Sequence, residues 1–135
     1  MAEFIVEAKT ENLEQVQSFV ESALEGYDCS PKALIQLSIA VEELFVNIAH
    51  YAYNPEVGLT EVRVDVEPDP PQVSITFIDH GVPYDPLAKP DPDVTLSGQE
   101  RSIGGLGIYM VKKSMDMVHY EYQDGKNILT IQKKL

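Results

Sequence analysis

Residues Thr60 to Glu67 alternate without a break: Val62, Val64 and Val66 fall on one face, and Glu61, Arg63, Asp65 and Glu67 on the other. A period of two predicts a β-strand with one dry and one wet side. Asp69-Pro70-Pro71 then turns the chain, and Val73, Ile75 and Phe77 repeat the dry face in a second strand, Val73 to Ile78. A sheet that is apolar on one face must be covered there by another layer. The flanking sequence supplies helices for that layer.

Glu3 to Lys9 reads as a first strand. Thr10 is placed to cap a helix with apolar positions Leu13, Val16, Val20, Ala23, Leu24 and Tyr27, closed by Gly26 and Asp28. Ser30 as N-cap and Pro31 at the first helical position open a second helix, which runs to about Tyr53 before Asn54-Pro55. In it Leu34, Leu37, Val41, Leu44, Ile48 and Ala52 form one apolar stripe. A third helix follows Gly104-Gly105-Leu106-Gly107, with Ile108, Val111 and Met115 inward. Val118 to Gln123 and Asn127 to Lys133 form a hairpin across Asp124-Gly125. From Val82 to Ser102 the periodicity vanishes, and prolines at 83, 86, 90 and 92 forbid a continuous helix or central strand. A long patternless loop inside a compact domain is often functional, and this one reads as a lid over about 82–103. The order β-α-α-β-β-lid-α-β-β predicts one α+β domain over 1–135. It is a two-layer sandwich with helices on one face of a mixed, mostly antiparallel sheet.

The totals narrow the partners. The 135 residues suit a single core. A formal charge of −12 opposes sequence-independent nucleic-acid binding and anionic membrane surfaces, so neither partner is expected. The single cysteine, Cys29, forms no internal disulfide; it fits a reducing compartment and the role of a small buried filler. No apolar run approaches the length of a membrane span, and the N-terminus lacks a signal-peptide pattern, so a cytoplasmic protein is the default expectation.

Three stretches carry the chemistry. Glu43 and Asn47 are one helical turn apart and share a face with Gln36, His50 and Asn54. The carboxylate can take a proton and the carboxamide oxygen is a hard ligand for Mg²⁺; a solvated polar stripe has the same spacing. Asp79-His80-Gly81 closes the second strand of the hairpin. Asp79 could accept a hydrogen bond from an exocyclic amine such as adenine N6 while Gly81 lets a ring approach, or the pair could make an ordinary turn. Gly104, Gly105, Leu106 and Gly107 precede a helix, where backbone N–H groups can meet phosphates; the bland alternative is flexible linkage. Arg101 could reach a terminal phosphate or pair with Glu100. Tyr120 and Tyr122 read as half-exposed sheet packing rather than a stacking platform.

In this order the three stretches resemble the N, G1 and G2 boxes of the GHKL (Bergerat-fold) ATPases, and the small stand-alone anti-sigma factor serine kinases among them. Ala40 to Asn47 resembles the N box, Asp79 to Pro86 the G1 box, and Gly104 to Tyr109 through Asp116 the G2 box. The likeness spans essentially the whole chain. It implies the histidine-kinase-like ATPase fold with an ATP lid, and ATP with Mg²⁺ as cofactors. Glu43 would be the general base toward a protein serine, and Asn47 the Mg²⁺ ligand. Asp79 would read adenine above Gly81. Gly105 and Gly107, with Gly104 and Leu106 beside them, would hold the phosphates, and Arg101 would touch the γ-phosphate. The function implied is a serine/threonine kinase that phosphorylates a small anti-sigma factor antagonist of the STAS type, binds a sigma factor, and forms a homodimer. A non-catalytic ATP/ADP-binding switch is the alternative. Tyr51 stands where many members carry His, and His50 where histidine-kinase relatives carry Lys.

Overall fold

The computed structural model describes residues 2–53, 56–88 and 106–135. Strand β1 (Ala2–Glu7) leads through a 3₁₀ turn (Thr10–Asn12) into helix α1 (Leu13–Leu24), and α2 (Pro31–Tyr51) follows. Strands β2 (Leu59–Pro68) and β3 (Pro71–Asp79) form the central hairpin. After a short 3₁₀ turn (Pro86–Ala88) come α3 (Leu106–Ser114), β4 (Met117–Gln123) and β5 (Lys126–Lys134). One five-stranded sheet has the order β1-β2-β3-β5-β4. Each of its pairings is antiparallel, so the parallel element allowed by a mixed sheet is absent among the described residues.

The register turns the alternation into a continuous floor. Val62 faces Phe77 and Val64 faces Ile75 across β2 and β3; Phe77 faces Leu129 and Ile75 faces Ile131 across β3 and β5. All six residues named are buried, and the helices cover this face. Each large apolar side chain buried here contributes about 1.5–3 kcal/mol. The β4–β5 turn bears out the Asp-Gly signal: Asp124 (φ 54°) and Gly125 (φ 77°) both take left-handed backbone, as a tight hairpin requires.

Helix α2 starts as its sequence dictates. Ser30 Oγ accepts the Ala33 N–H at 3.1 Å, with Pro31 in the first turn. Its buried face is Ala33, Leu37, Ala40, Val41, Leu44 and Phe45. Leu34 belongs to the expected stripe but is 39% exposed, because Ala33 and Phe45 rotate the contact face away from it. The expected Thr10 cap does not form. Thr10 opens the 3₁₀ turn, and Asn12 precedes α1 without a side-chain capping bond. By length and apolar composition α2 alone among the described helices could cross a membrane, which a search for unbroken apolar runs misses. Leu37, Val41, Leu44 and Phe45 instead place it in the core, against the sheet.

Arg101, Gly104 and Gly105 lie outside the described residues, as does the expected lid beyond residue 88.

Candidate active site

A cleft opens at one end of the sheet, beneath the C-terminal half of α2. Leu44, Asn47 and Ile48 of α2 and the following Ala52 form one wall. Phe77 and Asp79 of β3, Tyr120 of β4, and Asn127 and Leu129 of β5 form the floor, and Tyr84 and Pro86 a rim. The cleft holds about 390 Å³, part of it open to solvent. Mostly apolar walls with a few convergent polar groups suit a flat, partly polar ligand.

The polar floor is a built network. Asp79 is in phase with Val73, Ile75 and Phe77 on the inward face of β3 and is itself buried. Its Oδ1 accepts the Gly81 N–H and the Asn127 amide, each at 2.9 Å. Both bonds use one oxygen, so they do not consume the second. Asn127 sits directly opposite Asp79 in the register and is 5% exposed. Its amide also donates to the Val82 carbonyl at 2.9 Å. Its Oδ1 accepts from the Tyr84 N–H at 3.2 Å and from the Tyr120 hydroxyl. One side chain therefore ties the floor to the loop that follows β3.

The loop is held from its other side as well. Val82 N–H donates to the Ala52 carbonyl at 2.9 Å. A β-carbon on Gly81 would stand 2.6 Å from the Ala52 carbonyl carbon, so the close approach of the two chains requires glycine there. The Tyr53 hydroxyl accepts the His80 N–H at 2.7 Å and donates to the Leu59 carbonyl at 2.6 Å. Burial pushes the Tyr53 hydroxyl above its ordinary pKa; the His80 N–H opposes this and the Asp79 charge adds to it. Burial likewise raises Tyr120, with the Tyr84 N–H opposing and Asp85 and Asp79 adding. Tyr51 stacks on Tyr84, ring centroids 5.3 Å apart, at the rim.

Glu43 and Asn47 share one face of α2 as expected. Both are half-buried. The Glu43 carboxylate lies against Gly107 in the first turn of α3, so that a β-carbon at 107 would stand 2.5 Å from Glu43 Cδ. The N-terminal end of α3 carries partial positive charge, and a carboxylate there is favourably placed. Asn47 Oδ1 is buried and accepts no hydrogen bond from any described residue. An orphaned hard oxygen in a cleft wall suits a magnesium ion. Among the described residues no group of three or more His, Cys, Asp or Glu is placed to hold a metal, so a cation at Asn47 would depend on the ligand's own oxygens.

The structure thus brings Asn47 and Asp79 to one cavity, with Gly81 beside Asp79 and Glu43 against Gly107. Leu106 opens α3 by its backbone. Asn127 was not among the expected site residues, and Tyr120 is not mere sheet packing: it lines the cleft and bonds to Asn127. Cys29 is half-buried against the core, and burial, with Asp28 adding, raises its thiol pKa.

The family model described as histidine kinase-like ATPase domain matches residues 6–133. The chain is also similar to the serine/threonine-protein kinase BtrW of Bordetella bronchiseptica, 26% identical over 102 residues that cover 76% of this chain and 71% of that protein.

Proposed function

This chain belongs to the histidine kinase-like ATPase family, and from that premise we propose that it is an ATP-dependent serine/threonine protein kinase that controls a partner protein. ATP binding, generally with Mg²⁺, goes with the family. The observation that carries the finer reading is the position of Glu43. Its carboxylate sits at the first turn of α3, one turn of α2 from the unpartnered Asn47 Oδ1. A purely nucleotide-holding cleft has no need of a carboxylate there.

Asp79 receives the adenine amine with the oxygen that Gly81 and Asn127 leave unused, and Leu44, Ile48, Phe77 and Leu129 enclose the ring. Asn47 Oδ1 would hold the cation. When bound, magnesium neutralises phosphate charge and aligns the chain of phosphates. Glu43 then accepts the proton of the incoming serine hydroxyl. The serine oxygen bonds to the γ-phosphorus as the bond from that phosphorus to the β–γ bridging oxygen breaks, leaving phosphoserine and ADP. Gly107 admits the Glu43 carboxylate to that position.

The proposed substrate is a small anti-sigma factor antagonist, with a sigma factor as a second partner, a homodimer as the working assembly and the cytoplasm as the compartment. The resemblance of the three motif stretches supports this reading, and the printed name of the BtrW relative supports the protein-kinase part of the proposal alone. The test is capture of partners with and without MgATP, phosphosite mapping of what is captured, and transfer of labelled phosphate by Glu43→Gln. A fall of about 10²–10⁴ in transfer with nucleotide affinity kept is expected. Transfer at the wild-type rate would remove Glu43 as the base.

A further inference from the structure

A second cleft lies at the other end of the α2–α3 pair, about 16 Å along α2 from Glu43 by helical rise. Its walls are the first turns of α2, the exit of α3 and the end of β5. Lys32, Lys113, Lys133 and Lys134 line it, with Gln36 and Asp116. The walls are pinned together. Lys133 Nζ donates to the Ser114 carbonyl at 2.8 Å, Lys134 N–H to Asp116 Oδ2 at 2.6 Å, and Asp116 N–H to the Gln132 carbonyl at 2.9 Å. The space between them is about 650 Å³ and broadly open.

The charge distribution is unusual for this chain. It carries 22 acidic residues and 10 basic ones. Lys9 and Arg63 are paired with carboxylates. Yet none of the four cleft lysines forms an ion pair with a described residue, and only one carboxylate, Asp116, shares their walls. Lys133 Nζ meets only a carbonyl and Lys113 Nζ lies 5.5 Å from the Tyr109 ring centroid, so in a molecule with a carboxylate excess four convergent cations lack a carboxylate partner and form a local attractive field for an anionic partner. The wall also holds an unmet acceptor: Gln36 Oε1 is buried and without a hydrogen-bond partner. That oxygen requires a donor. A phosphate ion can offer an O–H but is too small to meet Gln36 and four lysines spread over about 650 Å³, and a long polyanion such as a nucleic acid meets the net charge of −12. A peptide carrying Asp and Glu supplies carboxylates for the lysines and backbone N–H groups for Gln36.

We propose that this cleft docks an acidic peptide segment of a partner protein. The claim does not rest on nucleotide binding or phosphoryl transfer, and the test uses neither.

The probe is a fluorescently labelled peptide of alternating Glu and Asp, titrated with the whole chain at low salt and followed by anisotropy. The matched Gln/Asn peptide is the control. Saturable binding of the acidic peptide alone is expected. The exposed pair Lys32→Glu and Lys134→Glu should weaken it at least about tenfold, and the exposed Lys126→Glu, outside the cleft, by less than about twofold. Should the double reversal lower the melting temperature, the neutral pair Lys32→Gln and Lys134→Gln replaces it, with a smaller loss expected. Absence of saturation, or equal loss in Lys126→Glu, overturns the proposal. Inorganic phosphate displacing the peptide at concentrations near the peptide's own dissociation constant also overturns it, in favour of a small-anion site.

Discussion

Replacing Asn127 by leucine tests the floor of the active-site cleft most directly. The shapes are close, so the change removes hydrogen bonds with little loss of volume. Asn127 serves Asp79 Oδ1, the Val82 carbonyl, the Tyr84 N–H and the Tyr120 hydroxyl. Of these partners Asp79 alone is buried. Losing a bond to that carboxyl group costs about 1.5–3 kcal/mol. The other three groups lie nearer solvent and can be rehydrated, so each adds at most about 0.5 kcal/mol. The sum, about 1.5–4.5 kcal/mol, corresponds to a fall of roughly 5–20 °C in melting temperature for a domain of this size. Ligand affinity should fall with it, because Asp79 loses the partner that orients it. Thermal melts by circular dichroism and titration calorimetry with MgADP read the two effects. A variant within about 0.5 kcal/mol of wild type that binds MgADP unchanged would refute the role assigned to the network.

Three further perturbations separate the parts of the site. Asn47→Leu removes an acceptor that has no partner within the described chain, so it should leave stability unchanged or raise it by up to about 1–3 kcal/mol. The same change should abolish the dependence of nucleotide binding on magnesium; calorimetry with and without the metal checks it. Gly81→Ala forces a β-carbon against the Ala52 carbonyl, and a loss of about 1–3 kcal/mol is expected in denaturant titrations. Tyr53 makes an alkaline prediction. Its folded pKa is raised above the ordinary 10.0, chiefly by burial. A raised pKa means the folded state binds the proton more tightly. The stabilisation is therefore complete below about pH 10 and is lost as pH rises through the elevated value. Melts across that range should show a smaller loss in Tyr53→Phe than in wild type, the remainder coming from Tyr120, whose pKa is raised as well; the variant should be less stable below about pH 10.

The parts of the fold legible in the sequence are those set by local periodicity. The alternation of β2 and β3, the Ser30-Pro31 start of α2 and the Asp124-Gly125 turn all form as the residues dictate. So does the pairing of Glu43 with Asn47 on one helical face, which needs only a spacing of one turn. Thr10 misled because a 3₁₀ turn intervenes before α1. Leu34 misled because a helix with alanines on both flanks can rotate its contact face without breaking its period.

Asn127 escaped for a different reason, and the reason bears on the site. Read along its own strand it begins a hairpin arm and nothing more. Read against strand phase, it falls with Leu129 and Ile131 on the inward face, as Asp79 falls with Ile75 and Phe77. Each is a polar residue at an apolar position. Without Asn127, Asp79 would keep the Gly81 N–H alone, and without Asp79 the Asn127 amide would keep the Val82 carbonyl alone. The sheet register sets them opposite one another, 48 residues apart in sequence, so that each satisfies the other. A floor of leucine and valine at these positions would pack as well and hold no directional group. A polar pair where an apolar pair would suffice for stability is expected at positions kept for binding. On that argument the two residues form one recognition unit. Asp79→Val together with Asn127→Leu should then lose nucleotide affinity while recovering much of the stability that Asn127→Leu alone gives up. Nucleotide affinity kept in the double variant, with stability still low, would mean that the pair serves the fold and not the ligand.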